Sequence, residues 1–248
     1  MRRLLIAATL LCLALPGQAL AARGPAGTAE RLTERTLLDL DDVLADAREN
    51  LAEMAELPSV QSQDAPACQA ESAEFDEPRY TGAGAADLDG DLYCFSAGIP
   101  SPVNIADRAY FLHTLGSRDF AVGDFQIGRA TGVNSLGLGY PVFGGETSGI
   151  TLSPLSLDWL GARIARTQSA KSVDVLVVDD HGTVLARSGA VATADGTNLA
   201  RTRLVRSMLR RDFGHSRLGL AGQAVAAAWG IVPLSDGEIH VAVSVPRD

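Results

Sequence analysis

One order of predicted elements occurs twice along the chain: two strands, a helix and three more strands. Runs of apolar, β-branched and aromatic residues bounded by Gly, Asn, Asp and Pro mark the strands. In the first copy the strands are predicted at residues 80–88, 92–96, 120–129, 136–143 and 149–157, with a helix at 105–115. In the second copy they are predicted at 173–178, 183–187, 216–220, 224–233 and 238–245, with a helix at 199–211. A unit of this order builds an antiparallel sheet with helices on one face. The sequence therefore predicts an α+β fold.

A long amphipathic helix is predicted ahead of both copies, over residues 28–57, and a shorter helix at 158–167 joins them. Apolar residues in the long helix recur at intervals of three and four, which places them on one stripe. The stripe consists of Leu37, Leu40, Leu44, Ala47, Leu51 and Met54. Pro58 ends the pattern. The stripe favours a helix that lies across its own domain, and a dimer seam remains the alternative.

The first 21 residues have the pattern of a cleaved signal peptide. Arg2 and Arg3 precede an apolar run over residues 4–15, and Ala19-Leu20-Ala21 has the small-x-small pattern of a cleavage site. The apolar run is shorter than the roughly 20 residues that span a bilayer, so a membrane anchor is the weaker alternative. The sequence therefore predicts export to the periplasm.

The charge balance argues against nucleic acid and anionic membranes as partners. The chain has 30 acidic residues against 21 Lys and Arg, a net charge of −9 at pH 7. Loss of the two signal-peptide arginines makes the predicted mature protein more acidic still. Nucleic acid and anionic lipid attract basic surfaces. With 46% hydrophobic and 21% charged residues, the chain has an ordinary globular composition.

Two cysteines, Cys68 and Cys94, remain after the predicted signal peptide. Exported proteins fold in an oxidising compartment, so a disulfide between them is predicted, with free thiols as the alternative. A metal site would need more Cys or His ligands at short spacing. The four histidines are scattered along the chain, at His113, His181, His215 and His240. The sequence therefore predicts no metal site.

Local signals predict the connections between the elements of the first copy. Asp89-Gly90 between two strands indicates a hairpin turn. The alternation of Asp87, Asp89 and Asp91 is similar to half of a calcium loop, but the later ligands and the closing Glu are absent, so a turn is favoured. Residues 59–79 have a loop-like composition, and Asn104 is a candidate N-cap of the helix at 105–115.

No arrangement of residues in the sequence points to catalysis. Ser135 lies in a Gly-rich stretch whose spacing differs by one residue from the G-x-S-x-G nucleophile elbow. The histidines have no nucleophile or carboxylate at a suggestive spacing. No phosphate-binding Gly-rich loop opens a helix. The sequence therefore predicts a non-catalytic protein without a cofactor, and a periplasmic hydrolase is the least favoured alternative.

An ordered set of short motifs, in register from residue 37 to residue 246, resembles the double Cache family of extracytoplasmic sensor domains. These are PAS-like modules found on bacterial chemoreceptors, histidine kinases and diguanylate cyclases. The motifs include Asp89-Gly90 followed by Cys94, Ala106-Asp107-Arg108-Ala109-Tyr110-Phe111, Gly128-Arg129-Ala130-Thr131-Gly132, Tyr140-Pro141-Val142 and Val243-Ser244-Val245-Pro246. The resemblance implies a long N-terminal helix followed by two PAS-like modules, a distal one at 58–168 and a smaller second one at 169–248. Each is an antiparallel sheet with flanking helices.

The resemblance also implies a function: binding of a small molecule, often an amino acid or a carboxylate, in the distal module. Arg108, Tyr110 and Phe111 occupy the family's Arg-x-aromatic-aromatic step at the pocket helix, and Arg129 is a further candidate in a Gly-rich turn. A guanidinium can hold a carboxylate through two parallel hydrogen bonds. The alternatives are a salt bridge from Arg108 to Asp107 or another local acid, core packing for the two aromatic residues, and a turn or surface role for Arg129.

Two departures from the family pattern affect the expected ligand and partner. Amino-acid-binding members usually carry an aromatic residue five positions before the arginine, where this chain has Val103, and this weakens the amino-acid interpretation.

In the family, the second module ends at a transmembrane helix that leads to an output domain. This sequence stops at Asp248, so we expect either a free-standing periplasmic protein with a membrane kinase or cyclase as partner, or a fragment of a receptor. A module without a ligand, which dimerises or docks on a membrane receptor, is the alternative function.

Overall fold

The computed structural model describes residues 24–144, 146–167, 172–189 and 193–247, so the predicted signal peptide lies outside the described residues. The helices are α1 (Pro25–Ala55), α2 (Pro58–Gln61), α3 (Ala65–Glu71), α4 (Ala109–Ser117), α5 (Leu157–Thr167) and α6 (Arg203–Met208), with a 3-10 helix at Ser72–Phe75. The strands are β1 (Gly84–Asp87), β2 (Leu92–Phe95), β3 (Ala121–Ile127), β4 (Asn134–Gly144), β5 (Glu146–Leu152), β6 (Leu155–Ser156), β7 (Asp174–Val178), β8 (Val184–Ser188), β9 (Gly214–Leu218), β10 (Ala224–Pro233) and β11 (Glu238–Pro246).

The two sheets are antiparallel and have the same topology. The first has the order β2-β1-β5-β4-β3, with β6 paired to β4, and the second has the order β8-β7-β11-β10-β9. Counted from the first strand of each module, both orders read 2-1-5-4-3. The predicted α+β fold and the repeated unit are therefore confirmed.

The hairpin between β1 and β2 is held by side chains as well as by backbone pairing. The Asp87 carboxylate accepts hydrogen bonds from the backbone N–H groups of Asp89 (3.0 Å) and Asp91 (2.9 Å). Gly90 has φ +83°, a conformation that glycine adopts without the cost of a Cβ. Asn104 Nδ2 donates to the Asp89 carbonyl (2.8 Å) and to the Asp91 carboxylate (2.7 Å). The predicted hairpin is confirmed, and Asn104 ties it to the segment that leads into α4.

The second module repeats this arrangement between β7 and β8. The Asp179 carboxylate accepts from the N–H groups of His181 (3.0 Å) and Thr183 (2.7 Å). Gly182 has φ +77°, and Asn198 Nδ2 donates to the His181 carbonyl (2.8 Å). The two modules therefore share a turn architecture of Asp, Gly and a later Asn as well as a strand order.

This architecture corrects three predictions about helices. The residue after each Asn pairs with the hairpin glycine, Ile105 N with Gly90 O and Leu199 N with Gly182 O, both at 2.8 Å. Because these backbone groups belong to the hairpin, α4 and α6 begin later than predicted, at Ala109 and Arg203. Asn104 is not the N-cap of α4, a position that Arg108 occupies.

The apolar stripe of α1 is buried against both sheets of its own chain. The residues of the stripe that are at most 5% exposed are Leu40, Leu44, Ala47, Leu51 and Met54. Thr151 of β5 donates its hydroxyl to the Leu51 carbonyl (2.9 Å), and Thr33 of α1 donates to the Ala228 carbonyl of β10 (3.1 Å). The prediction that the helix lies across its own domain is confirmed for these residues.

The segment between α1 and β1 is more helical than its composition predicted. Residues 59–79 were expected to be a loop, yet they hold most of α2, all of α3 and the 3-10 helix. Asp64 caps α3 by accepting from Ala67 N, and Pro66 lies in the first turn, both ordinary helix-start signals.

The strand predicted at 149–157 is two strands, β5 and β6. Pro154 separates them because it has no N–H to donate to a ladder.

The predicted disulfide between Cys68 of α3 and Cys94 of β2 is confirmed. The two Cα atoms are 5.8 Å apart, and both cysteines are fully buried. The bond joins the helical segment to an edge strand of the first sheet.

Within the described residues, no helix is both long enough and apolar enough to cross a membrane.

Replacement of both cysteines by serine should destabilise the protein. The disulfide closes a loop with a sequence separation of 26 residues, and a loop of this length is worth about 3 kcal/mol in the chain-entropy model. We expect the urea midpoint of Cys68→Ser/Cys94→Ser to fall accordingly, and dithiothreitol to lower the midpoint of the wild type but not of the variant. An identical midpoint for the oxidised and reduced wild type would contradict a stabilising disulfide.

Candidate functional site

A small cavity of about 30 Å³ lies in the first module, between the sheet and the start of α4. Its walls come from β2, β3, β5, the approach to α4 and the β3–β4 turn. The lining residues are Thr81, Leu92, Phe95, Val103, Ile105, Arg108, Tyr110, Gln126, Gly128, Arg129, Ala130, Thr131, Leu152 and Pro154. Three of the four predicted ligand-binding residues, Arg108, Tyr110 and Arg129, therefore lie together. Phe111 is buried in the adjoining apolar core and does not line the cavity.

Arg108 stands immediately before α4 in an extended backbone conformation. Its Nη2 donates one hydrogen bond, to the Ile127 carbonyl at 3.1 Å. Over the part of the chain that the structure describes, no carboxylate lies within ion-pair distance of Arg108. The salt bridge with Asp107, the alternative from the sequence, is not formed. A guanidinium has five N–H donors, so Arg108 keeps most of its capacity for a ligand.

Arg129 takes Asp107 as its partner in a bidentate ion pair. Nη1 lies 2.6 Å from Asp107 Oδ1, and Nη2 lies 2.7 Å from Oδ2. Nη1 also donates to the Asn104 carbonyl at 2.6 Å. The hydrogen bonds from Arg129 lower the pKa of the Asp107 carboxyl to about 2. Arg129 therefore fastens the β3–β4 turn to the approach of α4 and closes one side of the cavity.

Tyr110 packs in the apolar core of the first module and also lines the cavity. Burial raises the pKa of its phenol above the ordinary value, while the nearby charges of Arg108 and Arg129 and a hydrogen bond with the Gln126 side chain act in the opposite direction. Its ring lies on Gly137 of β4, where a Cβ atom would stand 2.1 Å from Tyr110 Cδ1. The absence of a side chain at Gly137 thus lets the ring reach the cavity wall.

Three polar residues of the cavity, Thr81, Gln126 and Thr131, were missed by sequence reasoning. Gln126 is a buried polar residue of β3 that contacts Tyr110. Thr81 Oγ1 is buried and has no hydrogen-bond partner among the described residues, and buried hydroxyls are normally hydrogen-bonded to protein or water. The position of Gln126 between Phe125 and Ile127 in a predicted strand was the available signal. Thr81, in the segment before β1, had no signal at all.

The second module lacks this combination of residues. Counted from the hairpin asparagine of each module, Thr202 corresponds to Arg108 and Leu204 corresponds to Tyr110. A cavity of about 20 Å³ lies there, and Asp174, Arg187, Leu204 and Leu220 contribute to its wall. The arginine and tyrosine at these two positions therefore distinguish the first module from its copy, although the second cavity has an arginine from another strand.

Two other groups bear on catalysis and metal binding. Ser135 is fully buried in the middle of β4, which removes it from consideration as an exposed nucleophile. His181 Nδ1 lies 2.5 Å from Asp180 and 3.6 Å from Asp124, and all three side chains are exposed. The sequence spacing gave no signal for this cluster, because Asp124 belongs to the first module and His181 to the second.

No protein-family model and no curated protein matches the sequence. Solved structures are nevertheless similar. An extracellular ligand-binding receptor from Desulfohalobium retbaense is 16% identical, with a TM-score of 0.71 over 88% of this chain. The ligand-binding domain of the Pseudomonas fluorescens chemoreceptor CtaA with L-alanine is 16% identical and has a TM-score of 0.66. That alignment covers 90% of this chain and 97% of the other. The domain of the Pseudomonas aeruginosa amino acid chemoreceptor PctB with L-Arg is 14% identical, with a TM-score of 0.63 over 90% and 88% of the two chains.

This likeness shows the fold. The chain has the two-module, PAS-like architecture of the ligand-binding domains of chemoreceptors, as the resemblance to double Cache domains predicts. The chain spans 40% of the length of the Desulfohalobium receptor and nearly the whole of the CtaA domain.

A matched pair of glycine substitutions tests the packing of Tyr110. Gly137→Ala should force the ring to move and should cost roughly 1–3 kcal/mol, as overpacking does. Gly116→Ala lies in α4, where an added Cβ meets nothing within 4 Å, and it should be neutral or stabilise by about 0.5–1 kcal/mol. Chemical denaturation of both variants checks this. Equal stabilities would show that the ring does not depend on Gly137.

Proposed function

We propose that the protein is an extracytoplasmic sensor that binds a small carboxylate-bearing molecule in its first module and signals through a partner protein. The observation that carries the proposal is Arg108, a guanidinium in the cavity wall that has only a backbone carbonyl as partner among the described residues. A carboxylate ligand would supply the missing anion through charge-assisted hydrogen bonds.

The rest of the cavity supports a small, mostly apolar ligand with one polar end. The aliphatic and aromatic side chains of Leu92, Phe95, Val103 and Leu152 form one part of the wall. Thr81 Oγ1 offers a hydroxyl that has no partner. A cavity of about 30 Å³ holds on the order of two water molecules, so a larger ligand must displace part of the wall.

The β3–β4 turn is the part of the wall that can connect binding to signalling. It spans residues 128–133 and is attached to the approach of α4 through Arg129. A ligand that moves this turn would stabilise a different conformation from the ligand-free one, and a ligand shifts an equilibrium by its difference in affinity for the two states. A membrane sensor kinase or cyclase is the partner class we propose to detect that change.

The extracytoplasmic location rests on three observations. The first is the signal-peptide pattern over residues 1–21. The second is the buried disulfide between Cys68 and Cys94, a bond typical of oxidising compartments. The third is the fold, which the CtaA and PctB ligand-binding domains share. Those two domains carry amino acids, whereas Val103 in this chain makes a simple carboxylate the better first candidate.

A second candidate function is a protein-interaction module. A groove of about 430 Å³ lies between α1 and β9. Leu38 and Phe213 in its wall are 60% and 69% exposed, and exposed apolar surface of this kind is common at interaction sites. Leu44 of the apolar stripe is only 5% exposed, so it is not available at the surface for a second copy of the chain. Leu38→Glu is therefore the variant that tests self-association.

A thermal-shift screen of the mature protein with carboxylates, amino acids and amines tests the proposal. A ligand that binds only the folded state at 100 times its Kd stabilises it by about 2.7 kcal/mol. We expect a carboxylate to raise the Tm of the wild type and to have little effect on Arg108→Gln. Arg48→Gln is the matched control, because Arg48 is an exposed arginine paired with Asp119 away from the cavity.

The other outcomes separate the alternatives. A ligand that raises the Tm of Arg108→Gln as much as that of the wild type would place the site elsewhere. A screen without a hit, together with a dimer that Leu38→Glu dissociates, would favour the interaction module. Turnover of an ester or peptide substrate would favour the hydrolase.

A further inference from the structure

We propose that Asp107 determines the charge class of ligand that the first-module cavity accepts, so that it takes monocarboxylates in preference to dicarboxylates. This inference rests on the proposed function, because it concerns the ligand of the same cavity. It assigns to Asp107, which does not line the cavity, a role in specificity through Arg129.

The two arginines of the cavity wall are in different electrostatic states. Arg129 already holds a carboxylate in the fork geometry that a ligand carboxylate would adopt, with both Asp107 oxygens within 2.7 Å of its Nη atoms. Its Nη1 is also bonded to the Asn104 carbonyl. Arg108 has only the Ile127 carbonyl as partner among the described residues. Asp107 therefore occupies one of the two guanidinium groups that could receive a ligand anion.

Charge balance at the cavity follows from this pairing. Two guanidinium cations and one carboxylate leave a single net positive charge, and the other lining residues are uncharged. One ligand carboxylate neutralises that charge. A second carboxylate on the ligand would lie beside Asp107, whose side chain is 65% exposed, without a cation of its own. The Asp107 carboxylate would repel it, because like charges at short distance repel.

Neighbouring charges support a role for Asp107 in particular. Arg108 is close enough that its charge also lowers the pKa of the Asp107 carboxyl, so the Asp107 carboxylate acts on both arginines. Asp91 is bonded to Asn104, on the hairpin side of the Arg129 contact, and adds further negative charge outside the cavity. Removal of the charge at Asp107 should therefore leave Arg129 available to a second ligand carboxylate.

The experiment is isothermal titration calorimetry at pH 7.5 with acetate and propionate against malonate and succinate. We expect the wild type to bind the better monocarboxylate at least tenfold more tightly than the better dicarboxylate. Asp107→Asn keeps the size and shape of the side chain but removes its charge, and it should shift this ratio at least tenfold towards the dicarboxylate. Asp107→Ser should do the same if the Asn variant folds poorly.

Two controls isolate the mechanism. Asp119→Asn removes the partner of Arg48 from another exposed ion pair at 2.6 Å, and the ligand ratio should not change. The double variant Asp107→Asn/Arg129→Gln removes the released cation as well, and it should return the ratio towards the wild-type value.

The two proposals fail in different ways. If the wild type binds a carboxylate but Asp107→Asn leaves the ratio unchanged, or weakens both classes equally, the inference about Asp107 is wrong and the proposed function stands. If neither the wild type nor Asp107→Asn binds any of the four carboxylates, the inference about Asp107 is wrong, and the thermal-shift screen with its wider set of ligands decides the proposed function.

Discussion

Burial of the apolar stripe of α1 against both sheets is the interaction on which the rest of the structure depends. Leu40, Leu44 and Leu51 belong to one core cluster with Leu138 of the first sheet and Val241 of the second. One helix therefore contributes side chains to the cores of both modules. The modules pack on this shared helix and are not two separate domains joined only by a linker. The two sheets are therefore joined through the side chains that pack on this helix.

The two modules share their framework and differ where a ligand would bind. In each, an aspartate holds the hairpin turn and a later asparagine fastens the turn to the segment before the helix. Four residues after that asparagine, the first module has Arg108 and the second has Thr202. The same scaffold therefore carries a guanidinium at this position in one copy and a neutral hydroxyl in the other.

Most of the fold and the β1–β2 hairpin could be predicted from the sequence, while the segments before β1 and before α4 could not. The periodicity of α1 and of the strands gave the elements, but Asn104 was interpreted as a helix cap because Asn is common at that position. Asn104 instead donates hydrogen bonds to Asp89 and Asp91. These bonds form only because the β1–β2 hairpin lies next to the segment before α4. Residues 59–79 were predicted as a loop, although Asp64 and Pro66 carry helix-start signals.

The sequence by itself determined the α+β class, the repeated unit and the apolar stripe of α1, because each follows from periodicity along the chain. It favoured the disulfide, because two cysteines remain after the predicted signal peptide. It also indicated Arg108, Tyr110 and Arg129 for the site through motif resemblance. Only the tertiary structure decided that Asp107 pairs with Arg129, and that Arg108 donates to the Ile127 carbonyl instead. Asp107 and Arg129 are 22 residues apart, and their partnership depends on the β3–β4 turn folding back onto the approach to α4, a geometry that no local pattern encodes.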